Sequence, residues 1–169
     1  MSLVCLDTNV IKWGILGEVP DSDQAEELVS KSLALVRQLT NGNSEFLMPT
    51  VVMGELLVRI PFARHDEVLR RFDRSWRFAD YDFRAARKFA EIRLQMKEIR
   101  DHATDREGKP SIARCVLTPD AMITATAIVN DVDVIYTGDE DFVTLAKDFI
   151  DIEYLLDMDL PGEQQLLWN

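Results

Sequence analysis

The chain has 169 residues, 47% of them hydrophobic and 29% charged, with a net charge of −11 at pH 7. That size and balance predict one soluble domain over residues 1–169 and exclude a disordered or fibrous chain. No apolar stretch approaches the roughly 20 residues of a membrane-spanning helix, Met1-Ser2-Leu3-Val4 lacks the basic region of a secretion signal, and Cys5 and Cys115 make no disulfide framework, so a cytoplasmic protein with reduced thiols is expected.

In chain order, Ser2 to Leu6 is a short apolar run that predicts a buried strand. Asp7-Thr8-Asn9 caps a helix through Val10 to Leu16, which Gly17 and Pro20 break. Asp21-Ser22-Asp23 caps a longer helix to Leu39, with Leu28, Leu35 and Leu39 recurring at helical spacing. Asn41-Gly42-Asn43 is a turn and Glu45 to Met48 a second strand. Pro49-Thr50 opens a helix that carries Glu55 and that Pro61 ends. His65 to Phe72 is helical, Trp76 to Ala79 a strand, and Phe83 to Ile99 a long amphipathic helix. Gly108 and Pro110 mark residues 104–111 as a loop. Thr118 caps a helix with Pro119 at its first position, running to Asn130. Val132 to Tyr136 is a strand, Asp139 to Lys147 a short helix, and Ile152 to Leu156 a strand at a sheet edge. Strands alternating with helices predict an α/β fold with a mostly parallel sheet.

Charge is unevenly spread along this pattern. Residues 59–114 hold 15 of the 19 Lys and Arg but only 10 of the 30 Asp and Glu, a local net of +5. Within it Arg84, Arg87 and Lys88 share one helix face. This segment is expected to border the functional site and contact nucleic-acid phosphates; the alternative is a solvated helix face. The acidic remainder would suit a basic protein partner.

Four acids stand at strand ends or helix starts: Asp7 after Leu6, Glu55 in the helix after Pro49, Asp120 after Pro119, and Asp139 after Thr137-Gly138. Strand C-termini of an open parallel sheet converge on one crevice. Carboxylates gathered there repel one another unless a divalent cation neutralises them, and all-oxygen ligands select Mg²⁺ or Mn²⁺. Such a centre serves phosphodiester cleavage by activated water. Each acid also has a simpler explanation: helix capping for Asp7 and Asp120, turn or cap formation for Asp139 and Asp141, and a solvent-facing position for Glu55. His65 and His102 lie outside these motifs and are expected at the surface.

The motifs Leu6-Asp7-Thr8-Asn9, Pro49-Thr50 with Glu55, Asp120 to Ala127, and Thr137-Gly138-Asp139-Glu140-Asp141-Phe142 together resemble the PIN-domain ribonucleases. Within that family the chain is most similar to the VapC-type toxins of toxin–antitoxin pairs. The resemblance runs from Leu3 to Leu156 and implies a three-layer α/β/α sandwich. It implies a single-stranded endoribonuclease that uses Mg²⁺ or Mn²⁺, with a small antitoxin as partner and a homodimeric state. It carries Asp7, Glu55, Asp120 and Asp139 onto the family's acidic quartet, with Asp141 as a fifth acid. Asp7, Asp120 and Asp139 become the metal ligands, Glu55 the group that orients or deprotonates water or helps hold a second metal, and Thr8, Asn9 and Thr137 hydrogen-bonding supports. The chain departs from a compact PIN domain by extra material around residues 17–44 and 100–117.

Other classes fit less well. A Toprim-like domain would use the Asp139–Asp141 pair but leaves the helix motif at Asp120 unexplained. A haloacid-dehalogenase-type phosphatase would need a second acid two residues after Asp7, where Asn9 stands. The alternatives that remain are a PIN-fold protein that binds RNA or a partner without cutting, and a PIN nuclease that is not a toxin.

Overall fold

The computed structural model describes residues 2–72, 75–103, 112–113 and 117–160; the loop expected over residues 104–111 and Cys115 lie outside them. Five parallel strands form one sheet in the order β3-β2-β1-β4-β5. They are β1 (Leu3–Leu6), β2 (Glu45–Pro49), β3 (Trp76–Ala79), β4 (Val134–Thr137) and β5 (Ile152–Tyr154). β1 is central, and Val4, Cys5 and Leu6 are almost fully buried, as are Phe46, Leu47 and Met48 on β2. Strands of an all-parallel sheet are covered on both faces, so these runs are continuously apolar rather than alternating.

The helices are α1 (Thr8–Ile11), α2 (Ala25–Asn41), α3 (Thr50–Leu57), α4 (His65–Leu69), α5 (Phe83–His102), α6 (Leu117–Val129) and α7 (Glu140–Ala146). α1 packs with α2 through the turn that follows it, whereas α5, α6 and α7 pack on one another. Right-handed crossovers put the two groups on opposite faces of the sheet, giving the expected α/β/α layering. Residues 17–44 contain α2, whose Lys31 Nζ donates to the carbonyls of Leu156 (2.6 Å) and Met158 (3.0 Å) and so ties down the chain just after β5.

Three local expectations are corrected. The helix predicted over Val10 to Leu16 is α-helical only through Ile11; Lys12–Leu16 is a π-turn. This wider turn brings Trp13 against Gly138, where an added Cβ would sit 2.3 Å from the indole, and Gly14 against the Ser32 carbonyl of α2, 2.9 Å from where its own Cβ would be. α2 starts at Ala25 without a side-chain cap; Asp21 and Ser22 form a bend and Asp23 a turn ahead of it. α6 begins at Leu117, which places Thr118 and Pro119 inside its first turn; proline is tolerated there because those amides have no helical acceptor.

Strand β3 is held by rings rather than by depth. Phe46 stacks on Trp76 at 4.7 Å and Phe72 meets the same indole edge-on at 4.9 Å. α6 is buried nearly all round, with Ala121, Ile123, Thr124, Ala125, Thr126 and Ala127 inside. Small side chains let it approach the sheet closely, and they carry Asp120 into the interior with them.

Candidate active site

The chain runs outward from β1 through β2 to β3, then returns to β4 on the other side of β1. At such a reversal the loops leaving the strand C-termini diverge and open a crevice. A cleft of about 430 Å³ lies at this position, and Asp7, Glu55, Asp120 and Asp139 all line it. Four acids from four separate elements therefore meet in one place, together with Thr8, Asn9, Lys12, Val58, Arg59 and Pro119.

Asp7 follows β1 directly, and its amide donates to the Tyr136 carbonyl of β4 (2.9 Å), so the sheet ladder fixes its backbone. Its Oδ1 accepts from the Thr8 amide (2.7 Å) as the cap of α1, and its Oδ2 accepts from Thr137 Oγ1 (2.9 Å). Thr137, fully buried at the end of β4, in turn accepts from the Asp139 amide (3.0 Å). Asp139 uses Oδ1 to receive the amides of Asp141 (2.9 Å) and Phe142 (3.4 Å) and caps α7. One hydroxyl thus orients two acids across the β1–β4 seam. On the opposite wall Thr8 Oγ1 donates to Glu55 Oε2, joining α1 to α3.

Asp120 differs from the other three. It is buried, yet its Oδ2 has no hydrogen-bond partner. Burial first, then the charges of Asp7, Asp139 and Glu55, push its pKa up to about 8. Asp7 is raised to about 6, chiefly by burial, against the lowering effect of its bonds from Thr137 and Thr8. Asp7 therefore ionises first and Asp120 titrates against a charge already present, so the two behave as a coupled pair. Burial and the neighbouring Asp139 and Glu140 also raise Asp141.

This donor set suits a hard divalent cation. Every acid donor is an oxygen, one buried oxygen lacks a partner, and the mutual repulsion that raises Asp120 is relieved by positive charge. Among the described residues no three His, Cys, Asp or Glu side chains form a ready-made metal cluster. Mg²⁺ keeps several of its waters and needs few direct protein ligands.

Of the remaining expected residues, Asn9 lines the cleft without a side-chain hydrogen bond among the described residues. Asp141 sits in the first turn of α7 outside the cleft lining. Arg84, Arg87 and Lys88 are not brought to the acids. Arg84 donates to the Val129 carbonyl at the far end of α6, and Lys88 pairs with Glu91 (2.7 Å). His102 is exposed as expected, whereas His65 is half-buried, its Nε2 bonded to the carbonyls of Leu57 (3.2 Å) and Ile60 (2.9 Å). Two cleft residues escaped the sequence reading, Lys12 and Arg59. Their signal is spacing: each stands four residues after a cleft residue, Thr8 or Glu55, just beyond the end of that residue's helix.

The sequence matches the family model for the PIN domain over residues 4–148. No curated protein matches the chain. Among solved structures the fold is similar to that of VapBC2 from Rickettsia felis bound to a DNA fragment from its promoter, at TM-score 0.59 and 16% identity, covering 90% of this chain and 98% of that one. It is similar to DNA-bound VapBC from Salmonella typhimurium at TM-score 0.59 and 21% identity, with coverage of 92% and 99%. VapBC-1 from nontypeable Haemophilus influenzae gives TM-score 0.59 at 12% identity, with coverage of 92% and 99%.

Proposed function

The chain belongs to the PIN-domain family, and on that premise we propose that it is a Mg²⁺- or Mn²⁺-dependent endoribonuclease cleaving single-stranded RNA, acting as the toxin of a toxin–antitoxin pair. The observation that carries this reading is the meeting of Asp7, Glu55, Asp120 and Asp139 in one cleft at the reversal of strand order. A binding module gains nothing from burying mutually repelling carboxylates, because each costs desolvation energy unless it is neutralised.

Asp7, Asp120 and Asp139 would hold the cation. When bound, it would supply charge stabilisation at the phosphoryl oxygens and lower the pKa of water. The protein's own groups do the rest. Glu55, fixed by the Thr8 hydroxyl, takes the proton of the attacking water. Thr137 holds Asp7 and, through its bond from the Asp139 amide, sets the spacing of the two acids across the seam. No side-chain nucleophile is needed, and neither histidine lines the cleft.

The VapBC structures that share this fold support a toxin with a small protein partner, and a homodimer is part of the same proposal. No helix among the described residues is long and apolar enough to cross a membrane. The proposed place of action is the cytoplasm, where the RNA substrate would be met. The decisive experiment is incubation of purified protein with a mixed RNA pool. Cleavage is expected with Mg²⁺ or Mn²⁺ and none with EDTA; undiminished cleavage in EDTA refutes the metal-dependent mechanism. An adjacent open reading frame whose product co-purifies and suppresses the activity would identify the partner.

A further inference from the structure

We propose that Lys12 and Arg59 form a two-cation bracket at the mouth of the cleft that holds the backbone phosphates of the RNA over the carboxylates. The inference rests on the nuclease reading for the identity of the ligand and on the geometry of the cleft for its place.

Both cations line the cleft beside the acids, yet neither forms an ion pair among the described residues. Several Lys and Arg on helix surfaces do have acid partners: Arg64 with Glu67, Lys88 with Glu91, Lys97 with Asp101. Two unpaired cations beside four acids are unusual, because long side chains normally swing to the nearest carboxylate. Here Asp7, Glu55 and Asp139 are engaged by Thr8, Thr137 and backbone amides, and Asp120 is buried. The two cations line the same cleft, Lys12 half-exposed and Arg59 exposed.

Their backbones are fixed independently. Thr8 and Glu55 are bonded, and Lys12 and Arg59 each lie one turn further along those two paths. Lys12 begins the π-turn, which is wedged between Gly138, under Trp13, and α2, under Gly14. Arg59 lies in the turn that His65 clamps through the Leu57 and Ile60 carbonyls. A bracket with rigid bases and free ends is suited to an extended anionic chain.

Charge arithmetic shows why it matters. Four ionised acids and two cations leave the lining at −2, which one divalent cation brings to neutrality. Without Lys12 and Arg59 the metal-loaded lining would stay at −2 and repel RNA, in a protein whose net charge is already −11. The bracket turns an acid cleft into one that a phosphodiester can enter.

The test is RNA binding by the Glu55→Gln protein in Mg²⁺, which keeps the three proposed metal ligands while removing the proton acceptor, measured by fluorescence anisotropy with a labelled single-stranded RNA pool across a range of salt. Lys12→Gln with Arg59→Gln is expected to weaken binding about tenfold per residue. It should also reduce the slope of log affinity on log salt by about 1.4, at about 0.7 for each phosphate no longer neutralised. Lys12→Arg with Arg59→Lys should restore both. Because Arg59 is exposed, Lys12 half-exposed and both unpaired, the melting temperature of the Gln variant should match its parent and exclude misfolding. Unchanged affinity and slope overturn the bracket, as does the absence of any RNA binding to the parent. Wild-type cleavage combined with an unaffected slope would sink the bracket and leave the nuclease standing. Bracket-dependent binding with no wild-type cleavage would do the reverse.

Discussion

Replacing Asp120 by Asn should stabilise the metal-free protein, and the size of the gain follows from the electrostatics of the cleft. In water an Asp carboxyl titrates near 3.8; in the folded cleft Asp120 titrates near 8. The folded state therefore holds a proton that the unfolded chain has released. Stability must fall as pH rises through the window between those two values, with the full loss reached above about pH 8. At about 1.4 kcal/mol per tenfold change in proton affinity the ceiling is about 6 kcal/mol. Side-chain relaxation and water entering an open cleft reduce this, and we expect about 2 kcal/mol at pH 8. For a domain of this length that is about 4 to 8 °C in Tm. Asn keeps the shape and carries no charge, so the variant should melt higher than wild type at pH 8 in EDTA and converge with it near pH 4. Mn²⁺ should reverse the order: wild type gains stability by mass action, while the variant, short of one ligand, gains little. Thermal melts at four pH values, with and without Mn²⁺, make the comparison. A variant less stable than wild type at pH 8 without metal would refute the claim that Asp120 is held at a cost. An equal Mn²⁺ response in both proteins would remove it from the ligand set.

Two further substitutions probe the seam beneath the acids. Thr137→Val removes the hydroxyl that serves Asp7 and Asp139 and should cost about 1–3 kcal/mol; Asp7, losing a bond that lowers its proton affinity, should titrate above its present value of about 6, and a melt and Asp7 titration both identical to wild type would contradict this. Gly138→Ala places a Cβ 2.3 Å from Trp13 and should cost about 1–3 kcal/mol through overpacking, with a change in tryptophan emission; Trp13→Leu in the same chain should recover part of the loss, and a neutral single substitution would show that the indole has room to move.

The order of strands and helices is legible in the sequence because it is written in local patterns. The apolar runs at Leu3 to Leu6 and Phe46 to Met48 have no polar alternation, which marks buried parallel strands, and Gly42 stands where α2 ends, whereas α3 stops at Leu57, short of the Pro61 expected to end it. Trp76 to Ala79 is a strand by pattern and in the fold alike. What local pattern misses is whatever depends on a distant neighbour. The π-turn at Lys12–Leu16 reads as ordinary helix in sequence, since its cause is Trp13 lying on Gly138 and Gly14 lying on Ser32. The cap expected at Thr118 fails for a similar reason: α6 is held by burial on nearly every side and can start before its best capping residue.

The same division runs through the site and explains which charges are overlooked. The acids are legible because a carboxylate at the end of an apolar strand has few explanations, and four of them in the right order have fewer. Cations carry no such signal. The densest basic segment, around Arg84 to Arg100, draws attention by number, yet Arg84 is spent on a helix carbonyl and Lys88 and Lys97 on neighbouring acids. Lys12 lies in one of the most acidic stretches of the chain and Arg59 at the border of the basic one, 47 positions apart, a distance bridged by the Thr8–Glu55 bond. Local charge density counts residues along the chain, whereas an RNA phosphate meets whichever cations the fold leaves unpaired at the cleft. Among the described residues two Lys or Arg line the cleft, and the net charge of the molecule says nothing about them.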